Sequence, residues 1–138
     1  MAMSGVVVSD ECIKALTDLR QKRCRYVMLH IIDQKNIAVK AVGERDATFQ
    51  QFVDSIDKST PCYAAYDIEY ETNDGKRDKL ILVSWNPDSG LPRTKMLYSS
   101  SRDALNAMTE GFQPIQANDV TELEFEDIVR KVKSHRQC

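Results

Sequence analysis

Four runs rich in β-branched and aromatic residues come as two pairs, Arg25–Ile32 with Asn36–Val42 and Cys62–Glu71 with Leu80–Trp85. Asp33-Gln34-Lys35 joins the first pair, and the turn residues Asn73-Asp74-Gly75 lie in the second connection, so each pair reads as a hairpin. Hairpins with apolar faces must be covered, and the segments between them have helical spacing. Ser9, followed by Asp10 and Glu11, caps a helix over about residues 9 to 21 whose Ile13, Leu16 and Leu19 share a face. Thr48 caps a short helix carrying Phe49, Phe52, Val53 and Ile56, which Thr60-Pro61 breaks. After Asn86-Pro87-Asp88-Ser89-Gly90, Pro92 opens a long helix with Leu97, Ala104, Leu105 and Met108 on one side, Ser101 in a narrow place there, and Gly111 at its end. A short strand over Phe112–Ala117 and a helix over Thr121–Lys133 complete the order αββαββαβα.

That order predicts a mixed α/β (α+β) fold, one domain with a central mixed β-sheet flanked by helices. The domain is expected over residues 9–133, with a flexible arm over 1–8 and a tail over 134–138. Val6, Val7 and Val8 can pin the base of the arm against the core. A chain of 138 residues buries enough surface to need neither metals nor disulfides. Cys12, Cys24, Cys62 and Cys138 form no close pair, and His30 and His135 are far apart, so neither a disulfide framework nor a metal site is expected. Cys12 and Cys24 read as small hydrophobes and Cys138 as a free thiol. The net charge of −2 gives no global attraction to nucleic acid. No signal core, no apolar stretch of roughly 20 residues and no glycine after Met1 direct the chain to a membrane. The expectation is a monomeric, soluble, cytoplasmic protein.

Catalysis finds no footing in the sequence. Ser9 serves as a cap, and no Ser/His/acid, Cys/His or phosphate-loop arrangement is visible at local spacing. Asp67 and Glu69 are spaced to share one side of a strand, but a pair of acting carboxylates needs a cleft that the pattern does not show. What stands out is local positive charge. Arg93, Lys95 and Arg102 flank the apolar stripe of the long helix, where an ordinary solvated face and a partner-binding face remain alternatives. Lys76, Arg77 and Lys79 beside the second turn either keep a sheet edge soluble or meet an acidic partner. Arg130, Lys131 and Lys133 lie in the last helix, where the dipole already favours cations. Phosphate on Ser4 would place about −1.5 to −2 charges in the arm, opposing an acidic partner or redirecting the arm onto these cations.

The chain resembles the actin-depolymerising factor/cofilin family at Met3-Ser4-Gly5-Val6 and Ser9, and more specifically at Trp85-Asn86-Pro87-Asp88, Lys95-Met96-Leu97-Tyr98 and Ser99-Ser100-Ser101-Arg102-Asp103-Ala104-Leu105. Tyr63-Ala64, Tyr66-Asp67, Asp74-Gly75-Lys76-Arg77 and the Glu124–Val132 helix follow in the same order, so the resemblance spans nearly the whole chain. It implies a non-enzymatic domain without a cofactor that binds monomeric actin and filament sides, prefers the ADP state, and promotes severing and depolymerisation. It also implies that Ser4 and Gly5 contact actin, that phosphorylation of Ser4 blocks docking, and that Arg93 and Lys95 are central contacts. Met96 and Leu97 would support that helix, and Ser101 and Arg102 would extend the contact. Lys76, Arg77, Lys79, Arg130 and Lys131 would meet the filament side, and a phosphoinositide would compete for the basic groups. Met3 stands ahead of the serine-glycine pair, and Arg130-Lys131 replaces an acidic-basic order common in the family. A module of the same fold that binds monomers or another protein without severing is the alternative expectation.

Overall fold

The computed structural model describes residues 5–136. Strand β1 is Val7–Val8, helix α1 Asp10–Arg20, and the first hairpin is β2, Tyr26–Ile32, with β3, Asn36–Gly43. Helix α2, Phe49–Ser55, precedes the second hairpin, β4, Cys62–Thr72, with β5, Gly75–Trp85. Helix α3, Pro92–Ser101, runs into a 3₁₀ segment, Arg102–Met108. Strand β6, Gln113–Ala117, a 3₁₀ turn at Val120–Glu122 and helix α4, Phe125–Arg136, close the chain.

The strands form one mixed sheet in the order β1-β3-β2-β4-β5-β6, antiparallel in the middle and parallel at both edges. Alternation divides the side chains between two cores. Tyr26, Met28, Tyr66, Ile68, Ile81, Val83 and Trp85 face α2 and α4, where they meet Phe52, Ile128 and Val132. Val27, Leu29, Tyr63, Ala65 and Leu82 face α1 and α3, meeting Leu16, Leu19, Tyr98 and Leu105. Central strand β4 is therefore buried on both faces from Cys62 to Ile68. That explains an apolar run too continuous for a one-sided strand.

Local chemistry sets the elements. Ser9 Oγ accepts from the Cys12 amide at 3.1 Å, as expected for the cap of α1. Thr48 and Gln51 exchange side-chain and backbone bonds at 3.1 and 2.8 Å, a reciprocal cap for α2. Across the first hairpin Tyr26 lies over Gly43, where an added Cβ would come 2.0 Å from the ring. Even Gly43→Ala must displace that ring from the core.

Four expectations are revised. Val7–Val8 form a parallel strand against Asn36–Ile37, and Val6 is buried, so the pattern begins with an additional strand. Two residues are too few to show a period. Strand β5 starts at Gly75 rather than Leu80, with Asn73-Asp74 as the turn and Gly75 at φ +116°. Its first residues are charged and exposed on both faces, which hides them from any apolar pattern. The long helix divides after Ser101 into a 3₁₀ segment, a break that apolar spacing does not reveal because i,i+3 contacts suit both kinds of helix. Finally, α4 begins at Phe125, after Glu122 reaches back to the Asn118 and Asp119 amides at 2.8 and 3.1 Å and closes a separate turn.

Candidate functional site

Helix α3 is seated by buried polar groups. Asn86, 6% exposed, donates through Nδ2 to the Lys95 carbonyl and Ser99 Oγ, both at 3.1 Å. Its own amide donates to Ala117 O at 2.9 Å and its carbonyl accepts from Asn118 Nδ2 at 2.8 Å, so one residue ties α3 through its side chain to the end of β6 through its backbone. Trp85 beside it is buried and donates from Nε1 to the Asp57 carbonyl at 3.2 Å. Further along, Tyr98 packs at a tilt against Tyr63 with ring centroids 5.3 Å apart, and its hydroxyl accepts from the Ile31 amide at 2.9 Å. The Tyr63 hydroxyl donates to the Tyr98 carbonyl. Burial pushes both phenols up, Tyr63 further than Tyr98.

This seating decides which residues of α3 face outward. Arg93 is exposed and Met96 is 72% exposed, an unusual position for a large apolar side chain. Lys95 is partly buried, its stem against Gly90 and its ammonium 3.6 Å from Asp88. Leu97 packs partly against the core, and Arg102 is half-buried with Nη1 on Asn106 Oδ1 at 2.8 Å. Ser101, on the apolar side of the helix, is fully buried, and its small side chain lets the helix close on the sheet. A groove of about 710 Å³ runs between Arg93, Met96 and Leu97 on one side and Ile31, Asp33 and Gln34 on the other. The Val7 amide bonds the Lys35 carbonyl at 2.8 Å, so the chain before β1 emerges beside that same turn. Gly5 is exposed with φ +75°, and Ser4 lies outside the described residues.

The other cations gather elsewhere. Lys76 and Arg77 are exposed at the β4–β5 tip, while Lys79 Nζ donates to the Gly111 carbonyl at 2.9 Å. Lys133 of α4 sits 6.0 Å from the centre of the Tyr70 ring, and with Arg77 lines an open cleft between the tip and α4. Arg130 and Lys131 are exposed, with Arg130 on Asp127 at 2.7 Å. The basic groups thus form two regions, one along α3 and one spanning the hairpin tip and α4.

Asp67 and Glu69 do share a side of β4, but of the two Glu69 alone reaches solvent, in an open depression with Lys76, Arg77 and Asp78. Asp67 is fully buried, and its Oδ2 meets Lys22 Nζ and Arg45 Nη1, each at 2.8 Å. Lys22 also reaches Asp78 at 2.5 Å, and Glu69 lies 3.5 Å from both Arg25 and Arg45. Sequence reasoning missed this network. Its visible trace is an acid inside the apolar run Tyr63–Tyr70 and a cluster of cations after α1.

Residues 5–133 match the family described as cofilin/tropomyosin-type actin-binding protein. The chain belongs to the actin-depolymerising factor/cofilin family. It is 38% identical to cofilin of Ogataea parapolymorpha over 137 residues, covering 96% of this chain and 95% of that one. Cofilin of Schizosaccharomyces pombe is 37% identical over 134 residues, with 96% and 98% covered. The solution structure of ADF/cofilin from Trypanosoma brucei is 70% identical, with a TM-score of 0.81 and coverage of 98% and 99%. Membership in this actin-binding family makes the chain a non-enzymatic protein. Among the described residues no helix is long and apolar enough to cross a membrane.

Proposed function

We propose that this cofilin-family chain binds monomeric and filamentous actin in the cytoplasm, prefers the ADP state, and promotes filament severing and depolymerisation. The observation that carries the reading is the outward face of α3, where Arg93 and Met96 stand exposed on a helix locked to the sheet, next to the base of the N-terminal arm. An apolar side chain ringed by cations is suited to dock in a partner cleft with acidic rims. Ser4, Gly5, Arg93, Lys95, Met96, Leu97 and Arg102 form this first contact, with Ser101 supporting it from inside. Lys76, Arg77, Lys79, Arg130 and Lys131 form a second contact used on filaments. Preference for one nucleotide state follows from differential affinity, since equal affinity for two filament conformations shifts neither. Phosphate on Ser4 opposes docking through its charge, and phosphoinositide headgroups compete for the same cations. The chain acts as a monomer.

Imaging of labelled ADP-actin filaments across a concentration series tests the whole reading: breaks should become frequent at intermediate occupancy. Arg93→Ala/Lys95→Ala should abolish most binding to monomers while the protein remains folded. Absence of binding by the parent, or unchanged binding by the double variant, rejects the α3 contact. The Arg130–Asp127 pair favours a second reading, because it partly neutralises one filament-side cation. In that case monomer binding persists without faster fragmentation.

A further inference from the structure

The β4 ladder with β2 ends at the Tyr26–Tyr66 pair, and the β5 ladder with β6 begins at the Ile81–Gln113 pair. Among the described residues, residues 67–80 therefore continue past the sheet as a ribbon of two strands paired with each other. Such a ribbon is marginal alone and twists strongly, so its direction depends on what braces its base. Lys22, just past α1 with φ +66°, supplies such a brace. Its ammonium lies 2.8 Å from Asp67 on β4 and 2.5 Å from Asp78 on β5, joining both strands to the end of α1. Arg45 meets the same Asp67 oxygen, also at 2.8 Å. Asp78 is immediately followed toward the tip by Arg77 and Lys76.

We infer that Lys22 is a positioning residue for filament-side binding, its bridge to Asp67 and Asp78 setting where Lys76 and Arg77 stand relative to the sheet. The inference rests on the filament-side contact proposed above. Burial alone would lower the Lys22 ammonium, but its hydrogen bonds to Asp67 and Asp78 outweigh that and raise it. The same bond to Lys22 lowers the Asp78 carboxyl. Both groups stay charged at neutral pH, so the bridge is intact where actin is bound.

Two substitutions cut the bridge while moving net charge in opposite directions. Lys22→Met removes one positive charge and Asp78→Asn removes one negative charge. If position matters, each weakens co-sedimentation with ADP-actin filaments by about three- to fivefold, the scale of a partly exposed ion pair, and leaves monomer affinity within about twofold. Hydrogen exchange of amides over residues 69–79 should quicken in both. If charge alone matters, or if Lys22 itself touches the filament, Asp78→Asn binds as tightly as the parent or more tightly, which overturns the inference. Asp78 is half-exposed, so this variant decides the question even if Lys22→Met, which leaves Asp67 to Arg45, fails to fold. Lys76→Ala/Arg77→Ala separates the underlying reading. If that variant keeps full filament affinity, the filament-side contact itself falls, and the role of Lys22 with it.

Discussion

Helix α3 and the β4–β5 ribbon both present cations, yet they are held in place by different forces. The helix is fixed by buried Tyr98, Asn86 and Ser101, with neutral hydrogen bonds from the Ile31 amide of β2 to Tyr98 and from Asn86 to the Lys95 carbonyl. The ribbon is exposed on both faces from Gly75 to Asp78, and its base is held by Lys22, Arg45, Asp67 and Asp78. Packing is insensitive to salt and local, whereas partly exposed ion pairs respond to salt and pH. One region is therefore held by contacts that salt and pH leave alone, and the other by contacts that salt and extreme pH weaken.

The sharpest way to break this contrast is to empty the seat of α3. Tyr98→Ala removes a ring packed against Tyr63 and leaves the Ile31 amide without its acceptor. Large-to-small changes of buried aromatics cost about 3–5 kcal/mol, and we expect a loss in that range by urea unfolding. Raising the salt should not restore it. A loss below about 1 kcal/mol would mean that α3 is held by something other than this packing.

The same contrast explains what could be read from the chain. Ser9 and Thr48 caps, the paired strands and the apolar stripe that runs from Leu97 of α3 into the 3₁₀ segment are signals within a few residues, and the structure has them all. The Lys22 bridge joins residues 45 and 56 positions apart, and nothing local announces it. Spacing puts Asp67 and Glu69 on one side of a strand but leaves their burial open, because strand spacing gives the side of a residue and not its burial. Ser101 was legible as a narrow place on the apolar side of the long helix, and it is fully buried there. The α3 region was thus largely legible, and the ribbon was legible only as charge.

A smaller effect should appear at the ribbon, and pH gives its sign. Hydrogen bonding to Lys22 lowers the Asp78 carboxyl, so its contribution to stability is present above the ordinary value of 3.8 and disappears as pH falls through the lower folded value. Lys22 is raised above 10.5, so its contribution holds below that pH and is lost as pH rises through the higher folded value. Asp78 is 48% exposed, which limits the pair to about 0.2–1 kcal/mol. Urea unfolding of the parent and Asp78→Asn should show that gap at pH 7, a narrower gap at 0.5 M salt, and none well below pH 3.8. A gap unchanged by acid would assign the stabilisation to packing and erase the distinction between the regions.

The smallest change in stability should come from Met96, and it tests whether the rigid region is rigid for the sake of its outer face. At 72% exposure the side chain contributes little to the core, so Met96→Ser should alter unfolding by no more than about 0.5 kcal/mol. An exposed methionine that becomes buried on docking is a different matter. Its transfer out of water is worth about 1.5–3 kcal/mol when complete, so monomeric actin should bind roughly tenfold more weakly. Fluorescence titration with labelled monomer reads this directly. Loss of affinity without loss of stability would separate the two faces of one helix: Tyr98 inward for placement, Met96 outward for contact. Unchanged affinity would leave Arg93 and Lys95 as the contact, and would mean that Met96 is exposed because nothing covers it.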